Sequence, residues 1–275
     1  MPIDTATPWH KASFDQFLVE LLPQLLAERL PLGGYRVEPE GPYTCRVTIT
    51  LATAGGELPL VYSGFPQPDE QGIFDIDGGR RVVIPLASTE ELDVAEVRCA
   101  GEQLYDYIAA RLGQAPAQLP WDEALARAWL PLDSWARDFL TPAEGDRGVT
   151  VSIAEWLDPA NGLATWLDQT NWLAVRTHLR RIAVSERQRL FTPGQLGRVC
   201  PFEVPEGPNL GYIFTIAVGA AIRDGRLVVL DERPAATLGL SASMMPFLEH
   251  NDLPRLLMGA NMRRQWLTPP DPEPA

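Results

Sequence analysis

Between Pro246 and Gln265 the chain gathers Glu249, His250, Asp252, Arg255, Asn261, Arg264 and Gln265. Carboxylates, an imidazole and guanidinium groups at that density suit ion pairing, proton transfer or anion binding, and hydrophobic packing demands none of them. Plainer roles fit the same residues. His250 has no second histidine nearby and suits a hydrogen-bonded structural imidazole. Arg255 lies at near-helical spacing from Asp252 and Glu249, close enough to bridge either one. A second set of cations, Arg176, Arg180, Arg181, Arg187 and Arg189, stands against Asp168 and Glu186 over residues 161–190. It reads as a local basic face for a phosphate backbone, or as a helix face that is merely solvated or paired with acidic residues elsewhere. A third feature, Pro205-Glu206-Gly207-Pro208, makes a rigid turn able to aim Glu206 at a fixed point.

Charge narrows the partners. The 275 residues carry 23 Lys and Arg against 36 Asp and Glu. Residues 1–160 hold 11 cations and 25 carboxylates, whereas residues 161–275 hold 12 and 11. The acidic first part repels nucleic acid and favours a basic protein partner, or self-association with the arginine-bearing helix of another copy, so a homodimer is a candidate state. Weak or no free nucleic-acid binding is expected. With one lysine, Lys11, the remaining cationic contacts are guanidinium forks suited to phosphate or carboxylate. Cys45, Cys99 and Cys200 are far apart and odd in number, which supports neither a disulfide framework nor a zinc site. No apolar run approaches the roughly 18 residues needed to cross a bilayer, and the opening residues lack signal-peptide character, so a cytoplasmic protein without a membrane association is expected.

The elements that must position these residues follow from periodicity. Ser13 with Gln16 predicts a capping box, followed by a helical stripe from Phe14 to Leu26 that Pro23 should kink or split. Alternation from Tyr43 to Leu51, with Cys45, Val47, Ile49 and Leu51 on one face, predicts a half-buried strand that turns at Ala54-Gly55-Gly56 into a second over Leu58–Tyr62. A hairpin is expected across Asp77-Gly78-Gly79, helices between Gly101 and Leu140, and a mostly helical stretch over Val149–Arg181 broken at Pro159–Gly162. An irregular segment should occupy Leu190–Leu210, and a second hairpin should turn at Asp224-Gly225. The class expected is α+β: a small antiparallel sheet with helices over residues 1–155, a mixed helical and irregular domain over 156–267, and a disordered tail over 268–275.

Three blocks carry a resemblance. Gly72 to Pro85 is similar to an early hairpin of the bacterial RNA polymerase β subunit. Thr165 to Ala183, reading T-W-L-D-Q-T-N-W-L-A-V-R-T-H-L-R-R-I-A, resembles that family's rifamycin-pocket segment. Gly197 to Gly211, reading G-R-V-C-P-F-E-V-P-E-G-P-N-L-G, together with Pro246 to Gln265, resembles the segments around its active centre. The resemblance implies protrusion and fork regions without the lobe insertion. It implies that Thr165, Asp168, Gln169, Asn171, His178, Arg180, Arg181, Ala183 and Gln265 belong to a wall facing the RNA–DNA hybrid. It also implies that Arg255 approaches the incoming nucleotide's triphosphate, with Glu206 and Asp252 lining the same region. Thr165, Trp172, Leu179 and Ala183 depart from the family's glutamine, proline, lysine and serine, which implies weakened rifamycin binding.

The family's later portion, which supplies the β half of the catalytic barrel, has no counterpart after Gln265. The metal-holding aspartates of the family lie on the β′ subunit. Here the one Asp-x-Asp, Asp75-Ile-Asp77, is followed by Gly78-Gly79 and lacks a third carboxylate. No cofactor is therefore expected in this chain, with Mg2+ relevant only within a complete polymerase. The leading expectation is a transcription-related β-like protein, non-catalytic alone, that docks on polymerase subunits α, β′ or the remaining β portion. A split β subunit completed by a second chain, and a nucleotide or small-ligand binding module, are the alternatives.

Overall fold

The computed structural model describes residues 7–53, 55–89, 91–113, 122–141, 164–188, 190–207 and 209–265. In chain order these form α1 (Pro8–Gln16), a π-helical turn (Phe17–Leu21), α2 (Leu22–Arg29), β1 (Leu32–Pro39), β2 (Thr44–Thr53), β3 (Gly56–Pro66), β4 (Phe74–Ile76), β5 (Gly79–Val83), β6 (Leu86–Ala87) and β7 (Val97–Arg98). There follow α3 (Ala100–Leu112), α4 (Glu123–Trp129), α5 (Leu132–Leu140), β8 (Ala164–Trp166), α6 (Trp172–Leu179), β9 (Arg181–Val184), β10 (Ile213–Thr215), β11 (Ala220–Arg223), β12 (Arg226–Val229), α7 (Leu240–Ser243) and α8 (Leu253–Gln265). Small, mainly antiparallel sheets with packed helices make the fold α+β. The described elements group into two compact units whose stretches alternate along the chain: His10–Val83 with Cys99–Trp166, and Met1–Trp9 with Ile84–Arg98 and Leu167–Ala275. The expected boundary at 155/156 and the tail at 268–275 lie outside the described residues.

In the unit that contains the first sheet, β2 lies between β1 and β3. Cys45, Val47, Ile49 and Leu51 are buried as the alternation predicts, and across the sheet Leu60, Tyr62 and Phe65 of β3 are buried too. The helical stripe buries Phe14, Phe17, Leu18, Leu22, Leu25 and Leu26. Leu21 and Leu22 keep helical dihedrals, so Pro23 does not split the helix; the turn before it widens to π geometry, with the Leu22 amide bonded to the Phe17 carbonyl. In that register the next donor would be the missing amide of Pro23, which leaves the Leu18 carbonyl without its helical partner. The Tyr35 hydroxyl of β1 donates to it at 2.8 Å, and burial pushes the Tyr35 phenol well above its ordinary pKa.

Ser13 is not an N-cap, because α1 already begins at Pro8. Its hydroxyl serves a different helix: Oγ accepts the Gly101 amide at 2.8 Å and donates to Glu102 Oε2 at 2.7 Å, while Glu102 Oε2 also accepts the Cys99 amide at 2.9 Å. These are orphan donors at the start of α3, satisfied in part from another element. The two pack so closely that a Cβ at Gly101 would stand 2.0 Å from the Ser13 carbonyl oxygen.

A second sheet in the same unit has the order β4-β5-β8. Asp77 (φ 54°) and Gly78 (φ 80°) make the tight turn of the expected hairpin, with the Gly78 amide donating to Asp75 Oδ1 at 2.9 Å. Strand β8 corrects an expectation. The described part of 149–181 is not mostly helical, since Val82 pairs with Thr165 and Val83 with Ala164 before α6 begins. The free edge of β5 decides this, through pairing that a local pattern of three residues cannot reveal.

In the other unit, β7-β6-β9-β10 form a four-stranded sheet in which β6 runs parallel to β9 and the other neighbours antiparallel. The described residues between 190 and 210 carry little regular structure beyond a 3₁₀ turn at Pro193–Gln195. The β11–β12 hairpin turns at Asp224 (φ 49°) and Gly225 (φ 66°) as expected. No helix among the described residues is long and apolar enough to cross a membrane, and all three cysteines are free and buried.

Candidate functional site

Asn171 ties the second motif to the last helix. As N-cap of α6 its Oδ1 accepts the Ala174 amide at 2.8 Å, and its Nδ2 donates to the carbonyls of Arg263 and Arg264 at 3.0 and 3.1 Å. One side chain thus satisfies an orphan donor at the start of one helix and orphan acceptors at the end of another. Nearby, Asp168 folds back on its own segment: Oδ1 accepts both the amide and the hydroxyl of Thr170. The Asp168 amide donates to His178 Nδ1 at 3.0 Å, an arrangement that requires a neutral imidazole with its proton on Nε2. His178 is buried and Gln169 exposed. Thr165 is buried in β8, within the other compact unit.

Among the described residues, the arginines expected to make a basic face do not share one. Arg180 is 1 % exposed. Its guanidinium donates to three carbonyls, Ile216 at 3.3 Å, Ala217 at 2.5 Å and Ala220 at 2.8 Å, and stands 5.4 Å from the Trp9 ring centroid. It pins the turn between β10 and β11. Arg181 is half-buried on β9; burial and the neighbouring Arg264 pull its pKa down to about 10, against the opposing influence of Asp168 and Glu203. Arg176 is half-buried, Arg187 is exposed, and Arg189 lies outside the described residues. Sequence supplies charge but not direction, and a guanidinium is the side chain best able to serve three inward carbonyls at once.

The geometry around block three centres on Glu203 rather than Glu206. Glu203 is fully buried. Its Oε2 accepts the amides of Ser241 and Ala242 at 3.1 and 3.4 Å, within α7. Gly239 makes room for it, since a Cβ there would stand 1.9 Å from Oε2. Oε1 faces Arg264 at 3.7 Å and has no hydrogen-bond partner among the described residues. Burial raises the carboxyl pKa, while Arg264 and the amides oppose the rise. A few residues on, the exposed Glu206 accepts Asn261 Nδ2 at 2.7 Å, and Asn261 Oδ1 accepts from Arg264. Glu203, Glu206, Asn261, Arg264, Arg181 and Asn171 therefore form one connected cluster holding α8 against the irregular segment. Sequence reasoning assigned Glu203 no role. Its signal was present in the apolar flanks Phe202 and Val204, where an ionised side chain needs a built partner.

The acidic cluster at 249–255 lies on the surface. Asp252 Oδ1 accepts the Arg255 amide at 3.0 Å, and the Arg255 Nε to Asp252 Oδ2 distance is 3.8 Å, with side chains 72 % and 57 % exposed. Arg255 therefore bridges Asp252, one of the two plain roles its spacing allowed. His250 stands 3.7 Å from Glu249, both exposed, and Phe247 enters this turn in the left-handed region (φ 54°). Glu206 meets α8 at Asn261, about 9 Å along the helix axis from Arg255. Ala183 is buried in β9, and Gln265 is exposed at the end of α8.

Residues 165–222 match the family model described as RNA polymerase Rpb2, domain 3. That span runs from β8 through β11 and contains Asn171, Arg180, Arg181, Glu203 and Glu206. The blocks at 72–85 and 246–265 lie beyond it. Over residues 165–222 the chain is thus similar to a domain of the RNA polymerase β-subunit family.

Proposed function

We propose that the chain is a transcription-related docking or regulatory protein built on protrusion-like and fork-like regions of a β subunit, without polymerase activity of its own. One observation carries this reading. The β-related segment and the last helix are joined through Glu203, Glu206, Asn261 and Arg264, while α8 leaves Met258 and Met262, one turn apart, 55 % and 52 % exposed. A helix anchored on one side by buried polar contacts and bare of cover on its apolar side is suited to a partner surface. Under this reading Arg255, Asp252 and Glu206 are remnants of a nucleotide-facing region, and the partners are polymerase subunits.

The test is affinity purification of the tagged full chain from native lysate, with identification of what it retains. Co-purification of α, β′ and a full-length β supports the docking reading. Recovery of a second chain that supplies the remaining β portion replaces it with the split-subunit alternative. Recovery of no transcription protein overturns both, and extension of an RNA primer by the purified chain alone overturns the non-catalytic assignment.

A further inference from the structure

The 3₁₀ turn at Pro193–Gln195 holds a buried side-chain amide in one orientation. Gln195 is fully buried, and its Oε1 accepts the Thr192 amide at 3.1 Å, so the carboxamide cannot turn over without losing that bond. Nε2 is thereby fixed as a donor, and it has no hydrogen-bond partner among the described residues. A buried donor in that state is destabilising, and a bound acceptor relieves it.

Gln195 lines an open groove of about 490 Å³, a size usual for small-ligand sites, within the unit that contains α8. Leu190, Phe191 and Leu210 are its exposed walls, and Phe214 is buried. Arg187 is the one charged residue among the described lining residues. Its Nε donates to the Leu210 carbonyl at 3.1 Å, and it makes no ion pair among the described residues. The main chain beside it is held firmly: the Gln188 amide donates to the Gly211 carbonyl at 2.8 Å, and a Cβ on Gly211 would stand 2.2 Å from the Gln188 carbonyl oxygen.

These groups select one ligand chemistry. Aromatic and aliphatic walls take a flat apolar body, a fixed amide donor takes an oxygen acceptor, and a guanidinium with no carboxylate among the described lining residues favours a negative charge on that acceptor. A single cation suits one charge and not a polyphosphate. We infer that the groove binds a small aromatic monoacid, its ring against Phe191 and Phe214 and its carboxylate on Gln195 Nε2, with Arg187 supplying the compensating charge. Glu206, Asp252 and Arg255 are not among the lining residues, so this site stands apart from the docking reading.

The full chain is titrated with a fluoronaphthoate and followed by fluorine NMR, with the unfolding midpoint of each variant measured alongside. Expected is saturable binding at one site, about fivefold or more tighter than that of the matching uncharged fluoronaphthalene methanol. Arg187→Gln, at an exposed position, weakens naphthoate binding about fivefold, the scale of one exposed ion pair. Gln195→Glu keeps the acceptor for the Thr192 amide, replaces the donor with a second carboxyl, and lowers affinity about tenfold or more. Arg255→Ala leaves the affinity unchanged. Binding of the alcohol as tight as that of the acid, no saturable binding, or an affinity indifferent to Arg187→Gln would overturn the inference. A loss of affinity in Arg255→Ala would place the ligand elsewhere and overturn it equally.

Discussion

The Glu203 carboxylate and the Arg264 guanidinium stand 3.7 Å apart with Glu203 fully buried and the Arg264 side chain 12 % exposed. The pair joins the irregular segment after β9 to α8, and each charge is costly there without the other. Because burial raises the Glu203 pKa above its usual 4.5, this group's favourable contribution is complete below its unfolded pKa and is lost as pH rises through the folded one. Arg264→Ala removes the main opposing charge. It should cost about 3 kcal/mol at pH 8, and less at pH 5.5, because lowering the pH favours the protonated carboxyl, which needs no counter-ion. Denaturant titration at the two pH values checks this, and an equal cost at both would show that Arg264 acts through packing.

Arg180→Lys should destabilise the protein by about 2 kcal/mol despite conserving charge. An ammonium lacks the planar fork that reaches the carbonyls of Ile216, Ala217 and Ala220 together, and a buried acceptor left unserved costs about 1 to 3 kcal/mol. A shift in the urea midpoint at unchanged slope reports it; an unshifted midpoint would place the guanidinium elsewhere in solution.

Tyr35→Phe isolates the widened turn ahead of Pro23. The substitution keeps the ring and deletes the donor to the Leu18 carbonyl, so about 1 to 2 kcal/mol should be lost with little change in packing. Thermal unfolding and near-ultraviolet circular dichroism separate the two effects.

Arg255→Ala should leave stability within about 0.5 kcal/mol, because its exposed pair with Asp252 contributes little. Any loss of partner capture or of nucleotide-dependent thermal stabilisation in this variant then reports a lost contact and not a lost fold. An unfolded or markedly destabilised variant would contradict the exposed placement.

The local elements were legible where one rule decided them. Period-two alternation marked β2, and Asp-Gly pairs marked both hairpin turns, since the positive φ they tolerate is a property of the residues themselves. Strand β1 passed unseen because Leu32-Gly33-Gly34 has no alternation, and its pairing with β2 needs a register shift between Leu32 and Gly34. Strand β8 reads locally as helix because pairing with β5, a stretch 81 to 85 residues earlier, settles it. Of the candidate site residues, Asn171 was singled out without its double capping role, whereas Glu203 was passed over for the more conspicuous Glu206.

What the sequence determined by itself was composition, turn chemistry, the apolar faces and the motif order that points to a polymerase relative, all of which depend on residue type and short-range spacing. What only the tertiary structure decided was direction: Arg180 turned inward to three carbonyls, Ser13 serving a helix nearly ninety residues later, and Glu203 buried against Arg264. A polar side chain goes where the unsatisfied donors and acceptors of distant segments meet, and that meeting place exists only once the chain has folded.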